Sequence, residues 1–201
     1  MPARLKRRLY RALHPTRPRP PRVRLLEEVP KGSSCAEIGV WKGDFSARIL
    51  EVVRPAKLHL VDPWRVVDDE AYTGALYGSL SGGQEQMDTI HAGVLERFAR
   101  EVRDGAVEVH RLPSLDAVER FGAGELDFVY VDGNHLYEFV QADLDAWAKK
   151  IRVGGLLGGD DYGVRGWWDD GVTRAVDEFV GAGRGEVVLL EDRQFLLRLP
   201  G

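Results

Sequence analysis

From residue 25 onward, short apolar runs alternate with longer stretches in which apolar residues recur every three or four positions. The short runs predict β-strands and the longer stretches amphipathic helices. Strands are predicted over 35–40, 58–61, 107–110, 126–131 and 156–160, with two more at 187–190 and 195–199. Helices are predicted over 45–53, 84–102, 115–120, 137–151 and 172–180, with a helical turn or two at 25–29. The run 126–131 is almost wholly apolar, as suits a strand covered on both faces. This alternation predicts an α/β fold: a doubly wound, mostly parallel seven-stranded sheet with an antiparallel C-terminal strand pair. Residues 64–83 break the pattern and, rich in Asp, Gly, Tyr and Ser, read as a long loop. Such loops in compact domains often serve as lids.

The chain ahead of this body has a different character. Leu5, Leu9, Ala12 and Leu13 share one face of a short basic helix that ends before His14 and Pro15. Four prolines between positions 15 and 22 then predict an extended linker. Residues 1–24 carry nine basic side chains and no acidic one, which leaves 19 basic and 32 acidic groups, a net charge of −13, in residues 25–201. The expected organisation is therefore a basic, Pro-rich arm over 1–24 and one folded domain over 25–201. Such an arm suits a solvated tail, weak contact with an anionic membrane surface, or nucleic acid.

Composition narrows the class. A hydrophobic share of 44% and a charged share of 30% are globular proportions and exclude disordered, collagen-like and coiled-coil chains. No run of about 18 apolar residues predicts a membrane span, and no apolar segment follows the basic start as in a secretory signal. The single cysteine, Cys35, excludes an intrachain disulfide framework and agrees with a reducing, cytoplasmic setting.

In open parallel sheets ligands bind beyond the carboxyl ends of the strands, and the candidate chemistry gathers there. Gly39 and Gly43 follow the first strand and allow backbone to approach a ligand before a helix whose first N–H groups are free. The dinucleotide fingerprint G-x-G-x-x-G is absent. Asp62, ending the second strand, can accept hydrogen bonds from two ribose hydroxyls, so the set points to a nucleoside-containing ligand. Singly, these residues would make no more than a turn and a helix cap. Asp132, Asp160 and Asp161 close the fourth and fifth strands. Three neighbouring carboxylates repel one another unless protonated or neutralised, and an oxygen-loving divalent cation such as Mg²⁺ would neutralise them. Capping by Asp132 and Asp161 is the plainer alternative. His135, three residues after Asp132, offers a neutral imidazole as general base near pH 7.

The segments Glu37-Ile38-Gly39 with Gly43, Val61-Asp62-Pro63-Trp64, Asp132-Gly133-Asn134-His135 and Gly158-Gly159-Asp160-Asp161-Tyr162 together resemble a class I S-adenosylmethionine-dependent methyltransferase. More narrowly, they resemble the metal-dependent sugar O-methyltransferases of the macrocin and mycinamicin type, over roughly residues 25–199. The resemblance implies a Rossmann-like methyltransferase fold with S-adenosylmethionine as methyl donor. It places Glu37, Gly39, Trp41, Gly43 and Ser46 at the methionine moiety, Asp62 and Pro63 at ribose and adenine, and Ser114 and Leu115 by the adenine ring. It makes Asp132, Asp160 and Asp161 ligands of a divalent cation, Mg²⁺, with Asp132 also beside the cofactor, and gives His135 the base position. Some sugar methyltransferases carry an acid where this chain has Asn134. The implied acceptor is a small hydroxylated molecule, a sugar or another natural-product hydroxyl.

Trp167, Trp168, Asp169 and Asp170 follow the fifth strand, and Asp68, Asp69, Tyr72 and Tyr77 lie in the long loop, all at the same predicted edge. Paired tryptophans can stack on an acceptor ring or pack between the subunits of a homo-oligomer. Two other functions stay open. An RNA methyltransferase would use the basic arm, but Tyr10 is its only aromatic and RNA readers stack bases on aromatics, so nucleic acid is not the expected partner. A non-catalytic S-adenosylmethionine-binding module would have no use for the full carboxylate set.

Overall fold

The apolar runs become the strands β1 (Ser34–Ile38), β2 (Lys57–Val61), β3 (Val107–His110), β4 (Leu126–Val131), β5 (Ile151–Gly159), β6 (Glu186–Glu191) and β7 (Gln194–Arg198). The helices are α1 (Pro21–Glu27), α2 (Asp44–Val52), α3 (Gly83–Arg97), α4 (Ala99–Arg103), α5 (Ser114–Ala117), α6 (Tyr137–Trp147) and α7 (Gly171–Gly181). The computed structural model describes residues 20–66 and 82–201. The short basic helix predicted around Leu5 to Leu13 and the lid residues Asp68, Asp69, Tyr72 and Tyr77 lie outside them.

The strands form one seven-stranded sheet in the order β3-β2-β1-β4-β5-β7-β6. β1 to β5 run parallel, and β7 is antiparallel to both β5 and β6. The chain steps outward from β1 through β2 to β3, then returns to β4 on the other side, so the topological switch lies between β1 and β4. Ile38 pairs with both Val61 and Val131, and Val131 pairs with Gly159. The four central strands therefore end level, and residues 39, 62, 132 and 160 leave the sheet along one edge.

Alternation along the buried strands divides the core into two layers. Leu25 and Leu26 of α1, Phe45 and Ile49 of α2 and Val94 of α3 pack on one face with Leu58, Leu60, Phe128 and Tyr130. Ala117 of α5, Val140, Leu144 and Trp147 of α6 and Val172, Val176 and Phe179 of α7 cover the other with Ile38, Val61, Val129 and Val131. Among the described residues, no helix is long and apolar enough to cross a membrane.

Three sequence expectations need correction. The linker predicted to reach residue 22 gives way to α1 at Pro21. Pro21 sits at the first helical position, where its fixed φ is already helical and its missing N–H has no helical partner to lose. The boundary expected after residue 24 thus falls inside a helix whose Leu25 and Leu26 are fully buried. The helix predicted over 84–102 divides at Phe98. That ring is buried against Gly43, where a Cβ would lie 2.6 Å from it. The helix predicted to reach Ile151 stops at Trp147, and Ile151 opens β5 because it pairs with Leu126 of β4.

If α1 belongs to the folded body, Leu26→Ala should lower stability by about 2–4 kcal/mol, the usual range for emptying a fully buried leucine site. Urea unfolding of the full chain measures this. A change below about 0.5 kcal/mol would place α1 with a dispensable arm.

Candidate active site

Because the central strands end level, the loop after β1 must pass close to the end of β4. Gly39 makes this possible: its φ is 88°, and a Cβ there would lie 2.2 Å from the Asp132 carbonyl oxygen. The Asp132 N–H donates to the Ile38 carbonyl at 2.7 Å. Asp62 then braces the loop. Its carboxylate accepts the N–H groups of Val40 at 2.9 Å, Trp41 at 3.0 Å and Trp64 at 2.8 Å, and the residue is 1% exposed. These bonds hold Trp41 in the left-handed region at φ 53°, an unfavourable conformation for a residue with a bulky side chain. The residue expected at the ribose thus shapes the glycine loop in this structure.

Glu37, one residue before the end of β1, is 1% exposed and accepts the Ser46 hydroxyl at 2.5 Å. Burial pushes its carboxyl up to about 8, against the lowering effect of Ser46, with Asp132 adding to the rise. Ser114 opens α5 directly after Pro113. Its hydroxyl donates to Asp143 at 2.5 Å and accepts the Trp147 indole N–H at 2.8 Å, so it ties α5 to α6. Burial raises the Asp143 carboxyl to about 6, and the Ser114 bond opposes that rise. Leu115 is exposed. Pro63 lines a cleft of about 360 Å³ with Arg65, Gln84, Arg111, Leu112 and Pro113, at the ends of β2 and β3.

The three carboxylates are brought together as expected, and two arginines meet them. Arg22 of α1 donates to Asp132 at 2.8 Å and to Asp160, with its guanidinium 5.1 Å from the Phe45 ring centroid and 5.8 Å from that of Tyr130. Burial opposes its charge, but Tyr130, Asp132 and Asp160 outweigh burial and raise its pKa. Arg193 donates to Asp161 from the β6–β7 turn. Asp160 also accepts the Gln194 amide at 2.5 Å and the Asp161 N–H at 2.8 Å. Sequence reasoning missed Arg22, Arg193 and Gln194. Arg22 was counted with a basic tail, and nothing local marks the other two.

His135 faces the remaining oxygens. Its Nε2 lies 2.9 Å from Asp161 Oδ2 and 3.6 Å from Asp132 Oδ1. That nitrogen is buried, and no hydrogen bond aligns with it. The three atoms fall within 4.8 Å of one another. Two carboxylate oxygens converging beside an imidazole nitrogen could hold an oxygen-loving cation next to that nitrogen. The three predicted carboxylates do not have the same neighbours. Asp160 accepts Arg22, Gln194 and a backbone N–H, whereas Asp132 and Asp161 converge with His135. Asn134 accepts the Leu136 N–H at 2.9 Å and forms the turn into α6. The Trp168 ring lies 4.7 Å from that of His135.

Glu37 yields a pH test. Its folded pKa stands above the ordinary 4.5, so its stabilising contribution is complete below about pH 4.5 and is lost as pH rises towards 8. Glu37→Gln should remove this dependence. Relative to wild type, the variant should gain on the order of 2 kcal/mol between pH 6 and pH 8, measured by urea unfolding at each pH. Parallel curves would show that Glu37 is ionised throughout.

A family model described as a methyltransferase domain matches residues 36–162. No curated protein matches the chain. Among solved structures, an O-methyltransferase from Bacillus cereus in complex with SAH is 14% identical, with a TM-score of 0.62 over 90% of this chain and 79% of that one. The N-methyltransferase NodS from Bradyrhizobium japonicum, in complex with S-adenosyl-L-homocysteine, is 15% identical, with a TM-score of 0.59 over 90% and 84%. An rRNA methylase from Streptococcus thermophilus is 12% identical, with a TM-score of 0.56 over 89% and 94%. These likenesses establish the fold, while the matched segment covers more than half of the chain and spans the strand ends after β1, β2, β4 and β5. The chain belongs to this methyltransferase-domain family, of class I architecture.

Proposed function

We propose that the protein is an S-adenosylmethionine-dependent O-methyltransferase whose acceptor is a small hydroxylated molecule, a sugar or similar natural-product hydroxyl, and which works with a divalent cation. The observation that carries this reading is the convergence of Asp132 Oδ1 and Asp161 Oδ2 on His135 Nε2, which makes no aligned hydrogen bond, at the sheet edge. The methyl donor is supported by the family match and by the SAH complexes of proteins with the same fold. In this reading the donor's methionine end lies by Glu37, Gly39 and Gly43, and its nucleoside end reaches the cleft lined by Pro63 and Pro113. An ammonium group approaching Glu37 would favour the ionised carboxylate.

Bound at this point, a divalent cation would lower the pKa of an acceptor hydroxyl. Asp132 and Asp161 would hold it by the oxygens that face His135, since their outer oxygens are held by Arg22 and Arg193. Hydrogen bonds of this kind orient carboxylate ligands. His135 Nε2, facing the same oxygens but outside the cation's ligands, would take the acceptor proton, and the freed oxygen would attack the sulfonium methyl in line, with S-adenosylhomocysteine as the leaving group. Trp168 walls the acceptor side beside His135 and offers a ring to stack on.

The test is calorimetry with S-adenosylhomocysteine, then turnover of any accepted hydroxyl substrate after chelation and Mg²⁺ add-back. Asp161→Asn should weaken Mn²⁺ affinity at least tenfold, with activity partly restored by excess cation. His135→Ala should keep cofactor affinity but lose roughly 10²–10⁴-fold in rate, recovering in part at high pH. Absence of S-adenosylhomocysteine binding would remove the donor assignment. Full turnover in the chelated enzyme would remove the cation and leave the donor.

A further inference from the structure

The outer edge of the sheet holds a second set of donor atoms, which the reaction above does not use. His59 lies in the middle of β2, directly opposite Glu108 of the edge strand β3, and His110 follows two residues later. Residues opposite each other, and residues two apart on one strand, share a face, so backbone register alone brings the three side chains together. His59 Nδ1 and His110 Nε2 are 3.0 Å apart. Glu108 Oε2 is 4.0 Å from the first and Oε1 is 3.8 Å from the second. Phe121 packs edge-on against both imidazoles. Both histidines are buried, whereas Glu108 is 47% exposed at the side chain and open to solvent.

Two imidazole nitrogens at this separation either share one proton or turn both lone pairs towards a cation. Burial lowers the pKa of both rings, that of His59 to about 4 with His110 contributing, so both are neutral at pH 7. Donors around a tetrahedral zinc ion stand about 3.3 Å apart. The nitrogens already meet that spacing to within a few tenths of an ångström, and Glu108 Oε1 would need to close by about 0.5 Å on His110 Nε2 and by at least about 0.7 Å on His59 Nδ1. Lys57 Nζ holds the other carboxylate oxygen at 2.9 Å and leaves Oε1 available.

We propose that His59, Glu108 and His110 form a transition-metal site, for which Zn²⁺ is the probe, that ties β3 to β2. Two imidazoles with one carboxylate prefer such ions to Mg²⁺, so the site differs in kind from the carboxylate-led group at Asp132 and Asp161. Among the described residues β3 is a sheet edge paired only to β2, and the chain leaving it supplies Arg111, Leu112 and Pro113 to the cleft. Occupation would therefore stiffen the cleft's outer wall.

The experiment is titration of chelator-treated full-length protein with Zn²⁺, and with Co²⁺ to read the visible absorption of a tetrahedral site. One equivalent should bind with a rise in melting temperature and should survive Asp161→Asn. Its affinity should fall at least tenfold in Glu108→Gln and in His110→Gln. Glu108 is half exposed, so its variant keeps the test decisive even if a histidine variant folds poorly. Unchanged Zn²⁺ affinity in Glu108→Gln would overturn the site. So would imidazole NMR showing one proton still shared by His59 and His110 in excess Zn²⁺.

Discussion

Asp132, Asp160 and Asp161 stand at the ends of adjacent strands, all partly or fully out of water, and carboxylates so placed require opposite charge nearby. Arg22 and Arg193 supply it from opposite directions. One comes from a helix before the first strand and the other from the turn between the last two. The turn is strained for this purpose. Asp192 and Arg193 both have positive φ, 47° and 73°, as the two-residue hairpin between Glu191 and Gln194 demands. Neither is glycine, and this conformation brings the Arg193 guanidinium to Asp161.

This arrangement makes α1 and the C-terminal hairpin parts of the site. Arg22 and Arg193 hold the outer oxygens of Asp132 and Asp161, so each carboxylate turns its other oxygen to His135. Asp160 works behind them, joining α1 to β7 through Arg22 and Gln194, and Gln194 accepts the Tyr130 hydroxyl at 2.7 Å. On the other side of the switch point Asp62 plays a similar part for the glycine loop. Both halves of the edge are thus shaped by buried acids that hold backbone or arginine.

The fold is shared with proteins named for methylating oxygen, nitrogen and rRNA, so the choice of acceptor rests on the local group and not on the sheet. Here that group combines an imidazole, two carboxylate oxygens and an indole wall.

The strands and their order of chemistry could be read from the sequence, because period and strand length are local properties. β2, β3 and β4 were predicted within one residue of their observed bounds, and Gly39, Asp132, His135 and Asp161 were placed at strand ends. The sequence also determined that charge had to be neutralised at that edge. Only tertiary structure decided which groups do so. Arg22 lies 110 residues from Asp132 and 138 from Asp160, a separation that no local pattern encodes. The same holds where partners compete for a side chain. Asp62, Ser114 and Asp160 have the right chemistry for a ligand, and folding also brings backbone N–H groups, Asp143 with Trp147, and Arg22 with Gln194 to them. A buried polar atom takes whatever partner the fold delivers, and that delivery is a property of the packed chain.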